Sequence, residues 1–229
     1  MSDNSPFSGF SPKAIDFLRG LSANNDRAWF ADHKDVYEAE VLAPMRALLA
    51  ELGPAMLAID PEFDLDPRSG AVSRIYRDIR FSRDKSPFRP KQWIVFKRQA
   101  KDWAGRPAFF LEFGPNGYRH GLGYYAASAR TMAAVRARLA AKPGEFLAAM
   151  AAARGAGYGL EGELYKRPRP PLDQPEEIQQ WHRRKNVCLV RDQALDQAFH
   201  GPALTENLKA AFAALAPLYR FLVEDDQAD

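Results

Sequence analysis

Two alternating runs separated by a tight-turn signal set the fold class of this chain. Ala108 to Gly114 reads AFFLEFG, with Phe109, Leu111 and Phe113 alternating against Phe110, Glu112 and Gly114. Tyr118 to Tyr125 reads YRHGLGYY, and Pro115-Asn116-Gly117 lies between the two runs. Asparagine followed by glycine supplies the backbone conformation that a hairpin turn demands, so the runs are expected to pair antiparallel. Gln92 to Arg98 precedes them with its own alternation, Trp93, Val95 and Lys97 against Ile94, Phe96 and Arg98. Consecutive strands with short turns imply an antiparallel sheet, not alternating strand–helix units.

Helical patterns flank these strands. Ser11-Pro12 reads as an N-cap with proline at the first helical position, followed by Ile15, Phe17, Leu18 and Leu21 as a buried face. Asn24-Asn25-Asp26 restarts the chain as a cap for a second helix carrying Trp29, Phe30, Val36, Tyr37 and Val41, with Trp29 and Phe30 read as core. Pro44 marks a kink or restart, and Met45, Leu48, Leu49, Leu52 and Met56 continue the pattern. After the strands, Ser128 caps a helix that Lys142-Pro143-Gly144 ends, and Glu145 to Arg154 forms the next. Gly155, Gly157 and Gly159 bracket a loop, Gly162 to Lys166 reads as a short strand, and Asn186 to Arg191 as another. Helices are predicted at Pro175–Arg184, Ala194–Phe199 and Leu204–Leu222, and a frayed acidic tail at residues 224–229. His182-Arg183-Arg184-Lys185 would place cations at the negative end of its helix. The expectation is one α+β domain over residues 1–229, its antiparallel sheet covered by N- and C-terminal helices.

The densest chemistry lies between helices and sheet. Ser73 to Pro90 reads SRIYRDIRFSRDKSPFRP, with Arg74, Arg77, Arg80 and Arg83 at every third position, joined by Lys85 and Arg89. As a helix these arginines would form one crowded, self-repelling stripe. As an extended segment they separate, with Ile75, Arg77, Ile79 and Phe81 on one face and Arg74, Tyr76, Asp78, Arg80 and Ser82 on the other. β-branched and aromatic content and the Ser86-Pro87 break favour the extended form for the first half, with Asp84 to Pro87 as a turn. Arginine offers a planar fork of donors suited to carboxylate or phosphate, and lysine a point charge. Arg74, Tyr76, Arg77, Asp78, Arg80 and Lys85 are therefore candidate ligand-binding residues. The competing reading is a salt-bridge scaffold in which Asp78 and Asp84 pair the arginines, since an arginine on the apolar face needs a partner.

The run RIYRDIRFSRDKSPFRP resembles the signature of the domain of unknown function 2461 family, conserved hypothetical proteins of bacteria. FLRGLSANNDRAWFADHKDVYEAEVLAPM is similar to that family's opening segment, with weaker similarity at Leu164 to Pro168 and Trp181 to Lys185. The resemblance covers almost the whole chain and implies no catalytic residue, because no activity is attached to the family.

Composition narrows the function classes. Of 229 residues, 46% are hydrophobic and 27% charged, which are ordinary globular values. Charge is unevenly spread: residues 1–67 hold 5 Lys and Arg against 12 Asp and Glu, and residues 68–106 hold 12 against 3. That pattern suits either a basic surface for phosphate-bearing partners or acidic helices neutralising a basic middle. The single cysteine, Cys188, excludes an intrachain disulfide, fits a reducing cytosol, and sits in an apolar run that predicts a buried, unreactive thiol. His33, His120, His182 and His200 are scattered and make no paired ligand motif, so no metal is expected, although carboxylate sites for magnesium stay open. No motif identifies a cofactor or a catalytic nucleophile, and His120 is a candidate base without a visible partner. No secretory signal is recognised, and no run approaches the roughly 20 apolar residues that span a bilayer. The expectation is a cytoplasmic protein without a membrane partner.

Three function classes follow. The first is binding of a small anionic or phosphorylated ligand at the arginine stretch, with or without catalysis. The second is a non-catalytic protein-interaction module in which that stretch is scaffold. The third is a nucleic-acid-associated protein using the basic residues from Arg68 to Arg106, with Phe88, Trp93, Trp103 and Tyr76 available for stacking.

Overall fold

The computed structural model describes residues 6–80 and 83–223. Phe81, Ser82 and the acidic tail, all assigned from sequence, lie outside the described residues. The fold is α+β, built on one five-stranded antiparallel sheet. Its strands are β1 (Gln92–Phe96), β2 (Pro107–Gly114), β3 (Gly117–Tyr124), β4 (Gly159–Glu161) and β5 (Cys188–Gln193), in the order β1-β2-β3-β5-β4. The chain falls into two compact units. One comprises Met1–Phe96, Phe110–His120 and Asp192–Lys209, and the other Lys97–Phe109, Gly121–Arg191 and Ala210–Asp229.

In the first unit, helix α1 (Pro12–Ala23) begins as its sequence dictates: Ala14 N–H donates to Ser11 Oγ at 3.2 Å and proline occupies the first turn. Helix α2 (Arg27–Asp32) is capped by Asp26, which accepts from Trp29 N–H at 2.9 Å. Phe30 is buried, whereas Trp29 is half-buried and stacks on His33 at 4.0 Å. Helix α3 (Lys34–Val36) runs through a π-helical segment, Tyr37–Leu42, into α4 (Ala43–Ile59). Pro44 explains the widened turn. Its ring would clash with the carbonyl four residues back, and the ladder opens there so that Ala43 N–H reaches Glu38 O, five residues back. By length and composition alone Lys34–Ile59 would also suffice to cross a bilayer, a test that core helices pass as well. Its buried row of Tyr37, Val41, Met45, Leu48, Leu49, Leu52 and Met56 is also the pattern of a core helix. Phe10 anchors this unit's core against Phe113 at 4.4 Å and Phe199 at 5.1 Å.

In the second unit, α5 (Ala129–Ala141) is capped by Ser128, which accepts from Thr131 N–H at 3.0 Å, and α6 (Pro143–Gly155) starts on its proline. Helix α7 (Glu176–His182) turns Ile178 and Trp181 inward as expected, and Trp181 meets Phe146 edge-on at 5.1 Å. Helix α8 (Ala203–Val223) contributes Phe212 and Tyr219 to this unit, packed on Phe109 at 5.4 and 5.2 Å. Arg138 is buried because it has work there: its Nη1 donates to Phe221 O at 2.9 Å and Leu222 O at 2.6 Å, carbonyls at the end of α8.

Three local expectations are corrected. Strand β4 occupies Gly159–Glu161 inside the glycine-bracketed stretch, while Gly162 to Lys166 forms only an isolated bridge, Leu164 to Arg184. Gly162 breaks the strand with φ +138°, a conformation side chains avoid. Ala194 to Phe199 is turns, not a helix; Asp196 accepts from Phe199 N–H at 3.0 Å and closes the chain locally. Cys188 is half-buried and not sealed in the core.

Candidate functional site

The arginine stretch is a loop pinned at its neck. Ala71 to Ser73 extends along β1, with Ser73 N–H donating to Trp93 O at 2.9 Å and Val95 N–H to Ala71 O at 2.8 Å. Ser73 Oγ donates to the buried Gln92 Oε1 at 2.9 Å and accepts from Trp93 N–H at 3.0 Å. The chain then pairs with its own return: Arg77 N–H donates to Pro87 O at 2.9 Å and Arg89 N–H to Ile75 O at 2.8 Å, around the bridge of Tyr76 and Phe88. Two backbone bridges, not a full strand, thus hold the extended form.

The two faces alternate as the sequence predicts for every described residue. Ile75 is buried and Arg77 and Ile79 are half-buried, while Arg74, Tyr76, Asp78 and Arg80 are exposed. Arg77, the cation on the inner face, has its acid: Nη1 stands 2.6 Å from Asp84 Oδ2. Arg80 grips Asp78 with two nitrogens, Nε to Oδ1 at 3.0 Å and Nη2 to Oδ2 at 2.6 Å. Those bonds, together with Arg80 N–H, hold the Asp78 carboxyl down at about 2. Asp84 is lowered chiefly by the Ser86 hydroxyl that donates to it, then by Ser86 N–H, which donates at 2.9 Å in the expected turn, and then by Arg77. Lys85 Nζ donates to Ile79 O at 2.9 Å and so links the two limbs of the loop.

From Arg74 to Arg89 the loop carries six cationic residues and two acidic ones. With both acids engaged, four positive charges stay uncompensated within the loop. Arg74 and Arg83 are exposed and form no ion pair with any described residue. Arg89 lies over the Trp93 ring at 4.9 Å. Tyr76 presents a ring that is 60% exposed beside these cations, its inner edge against Phe88 at 5.4 Å and Phe30 at 6.0 Å. Beneath it Tyr37 is buried, which pushes its phenol up to about 12.

Asn25 is the positioning residue that sequence reading missed. It was legible only as part of a helix cap, yet its amide clamps the loop: Nδ2 donates to Phe88 O at 3.1 Å and Oδ1 accepts from Phe88 N–H at 3.0 Å. His120 lies away from the loop sequence, on β3, buried and near Tyr118 at 6.3 Å between ring centroids. Cys188 instead borders an open cleft of about 490 Å³ in the second unit, with Glu161, Glu163, Lys185 and Asn186. Among the described residues no cluster of histidine, cysteine and acids is arranged to hold a metal ion.

Among curated proteins no match is found. The profile of a family described as conserved hypothetical protein (DUF2461) matches residues 13–221, a span that includes the whole arginine loop. The chain belongs to the DUF2461 family of conserved hypothetical proteins.

Proposed function

We propose that the protein binds a small anionic or phosphorylated ligand at the loop from Arg74 to Arg89, in the cytoplasm. The observation that carries this reading is the division of labour among the cations. Asp84 and Asp78 occupy Arg77 and Arg80, which makes those two arginines framework, while Arg74 and Arg83 stay exposed and unpaired among the described residues. A pinned backbone with surplus charge lowers the entropic cost of holding an anion. Tyr76 offers an exposed ring beside that charge, suited to a planar group on the ligand. The reading assigns binding and no reaction.

The two ion pairs favour a second reading, in which the whole loop is scaffold for a protein-interaction module. A thermal-shift panel separates the two. Nucleotides, sugar phosphates, dicarboxylates and short oligonucleotides are tested at low and high salt against wild type and Arg74→Ala. Binding well above the dissociation constant stabilises the folded state by a few kcal/mol, about 2.7 at a hundredfold excess. Selective stabilisation by one small phosphate, retained at high salt and lost in Arg74→Ala, supports the anion site. Stabilisation by oligonucleotides alone, lost with salt, transfers the loop to nucleic acid. No stabilisation by any of them leaves the scaffold reading.

A further inference from the structure

The second unit contains a separate set of donors without acceptors, where α5 meets the end of α7. Tyr165 N–H donates to Arg183 O at 2.9 Å, and Leu164 bridges to Arg184, so the segment around Tyr165 lies against the residues that follow His182. From α5, the Arg136 guanidinium stands over the Tyr165 ring at 5.8 Å. The Arg136 charge acts on the His182 imidazole, so the two side chains are neighbours. Arg136 Nη1 and His182 Nε2 are both shielded from solvent, and neither has a hydrogen-bond partner among the described residues. A buried polar atom left without a partner is costly, and two of them on neighbouring side chains are worse.

The acids nearby are engaged elsewhere. Glu176 pairs with Arg183 at 2.9 Å, Glu177 with Arg154, and Glu163 with Lys185. Burial, and then the Arg136 charge, holds the His182 imidazole below its ordinary range. Next to Tyr165 the chain continues through the exposed cations Lys166, Arg167 and Arg169, with Pro168, Pro170 and Pro171 between and after them. The local field is positive, the donors face no acceptor, and an oxyanion would satisfy both.

We propose that Arg136 Nη1 and His182 Nε2 form a binding site for the phosphoryl group of a small phosphate monoester, with the Tyr165 ring as its floor and the Lys166–Arg169 segment as its rim. The site is separate from the arginine loop and does not rest on that reading. Two donors presented to one phosphoryl group are neutralised together, which removes the repulsion between Arg136 and a protonated His182.

The test is a titration of the full-length protein with inorganic phosphate and then phenyl phosphate, read by NMR at the His182 imidazole, with acetate as the carboxylate arm. The expected result is a saturable shift of the His182 signals with phosphate and phenyl phosphate, accompanied by a rise in the His182 pKa. Arg136→Gln is expected to weaken binding by about tenfold or more, the loss of one charged hydrogen bond. Arg136→Lys, which keeps the charge, is expected to weaken it less and guards against a variant that fails to fold. Arg74→Ala leaves the His182 response intact, which separates this site from the loop. A His182 signal that phosphate and phenyl phosphate leave unmoved, or that moves equally in wild type and a folded Arg136 variant, overturns the proposal. A response to acetate equal to that of phosphate overturns the assignment to phosphoryl groups.

Discussion

Arg77 and Asp84 clasp the loop from its two limbs, with Arg77 Nη1 2.6 Å from Asp84 Oδ2. The Arg77 side chain is only 25% exposed, and that of Asp84 is 51% exposed. A cation turned inward on an apolar face requires an acid, and this one comes from beyond the tip, so the pair closes the segment between them. Asp84→Asn removes the charge and keeps the shape. Amide exchange at Arg77 and Arg89 is expected to accelerate several-fold, with a melting temperature lowered by less than about 4 °C, since a partly exposed pair contributes little to global stability. Unchanged exchange at both amides would show that the backbone bridges hold the neck alone.

The Asn25 clamp makes a sharper prediction. Its two hydrogen bonds satisfy both backbone groups of Phe88, a residue 1% exposed. Asn25→Ala leaves them unpaired and is expected to destabilise the fold by about 1–3 kcal/mol in urea denaturation. Asn25→Asp is expected to be worse, because a carboxylate oxygen would then face Phe88 O. Both variants should also weaken anion binding at the loop without touching a cation. Equal stability of Asn25→Asp and wild type would remove the clamp from the account.

These two positions show what the sequence can carry. Period-two alternation placed Arg77 inward and Arg74, Tyr76, Asp78 and Arg80 outward, because that pattern is local and follows from backbone geometry. The hairpin was likewise signalled locally by Pro115-Asn116-Gly117, although the turn itself is Pro115-Asn116, Gly117 already opens β3, and neither Asn116 nor Gly117 takes the positive φ of an asparagine-glycine turn. Asn25 was missed because its acceptor and donor lie 63 residues away, and a side-chain amide leaves no periodic trace. Strand β4 was misplaced for the same reason. Three residues hold it there by pairing Leu160 with Leu189 on β5, against the glycines around them. The donors of Arg136 and His182 meet only through tertiary packing, so His182 read as part of a helix-terminal basic run.

Asp78 gives the loop an acid signature. Its carboxyl is lowered from 3.8 to about 2 by Arg80, so the folded state holds the ionised form more firmly than the unfolded chain does. The unfolded state therefore binds more protons between those values, and stability falls as pH falls. The contribution is complete above 3.8 and is lost as pH drops through about 2. Carboxyl titration by NMR should place Asp78 well below the ordinary value of 3.8, and Arg80→Gln should return it toward that value. A normal titration in wild type would mean that Arg80 does not hold Asp78 in solution.

His182 acts in a higher window, with the same sign. Burial lowers its pKa first, and the charge of Arg136 on α5 second. A histidine depressed in the folded state binds fewer protons there than in the unfolded chain, so its protonation opposes folding. Its destabilising effect is absent above the unfolded value of 6.5 and grows as pH falls through the lower folded value. His182→Gln is expected to lose less stability than wild type on acidification from neutrality, with Arg136→Gln showing a smaller loss of the same kind. Parallel stability curves for wild type and His182→Gln would place His182 in an unperturbed setting.

A close backbone approach in the sheet supplies a prediction that needs no ligand. Gly123 on β3 lies so near the neighbouring chain that an added Cβ would stand 2.6 Å from Cys188 Cα, 2.7 Å from Val187 O and 2.8 Å from Cys188 Cβ. Two of those atoms are backbone, so no rotamer change relieves the clash, and Tyr124 N–H to Val187 O at 3.1 Å is the pairing that would be forced apart. Gly123→Ala is expected to cost about 3 kcal/mol or more, at the upper end for overpacking. Gly144 is the control. It lies in the first turn of α6 with nothing within 4 Å of an added Cβ, so Gly144→Ala is expected to stabilise by about 0.5–1 kcal/mol through helix propensity and unfolded-state entropy. Urea denaturation of both variants decides the matter, because a mild effect at Gly123 is incompatible with a β3–β5 approach this close.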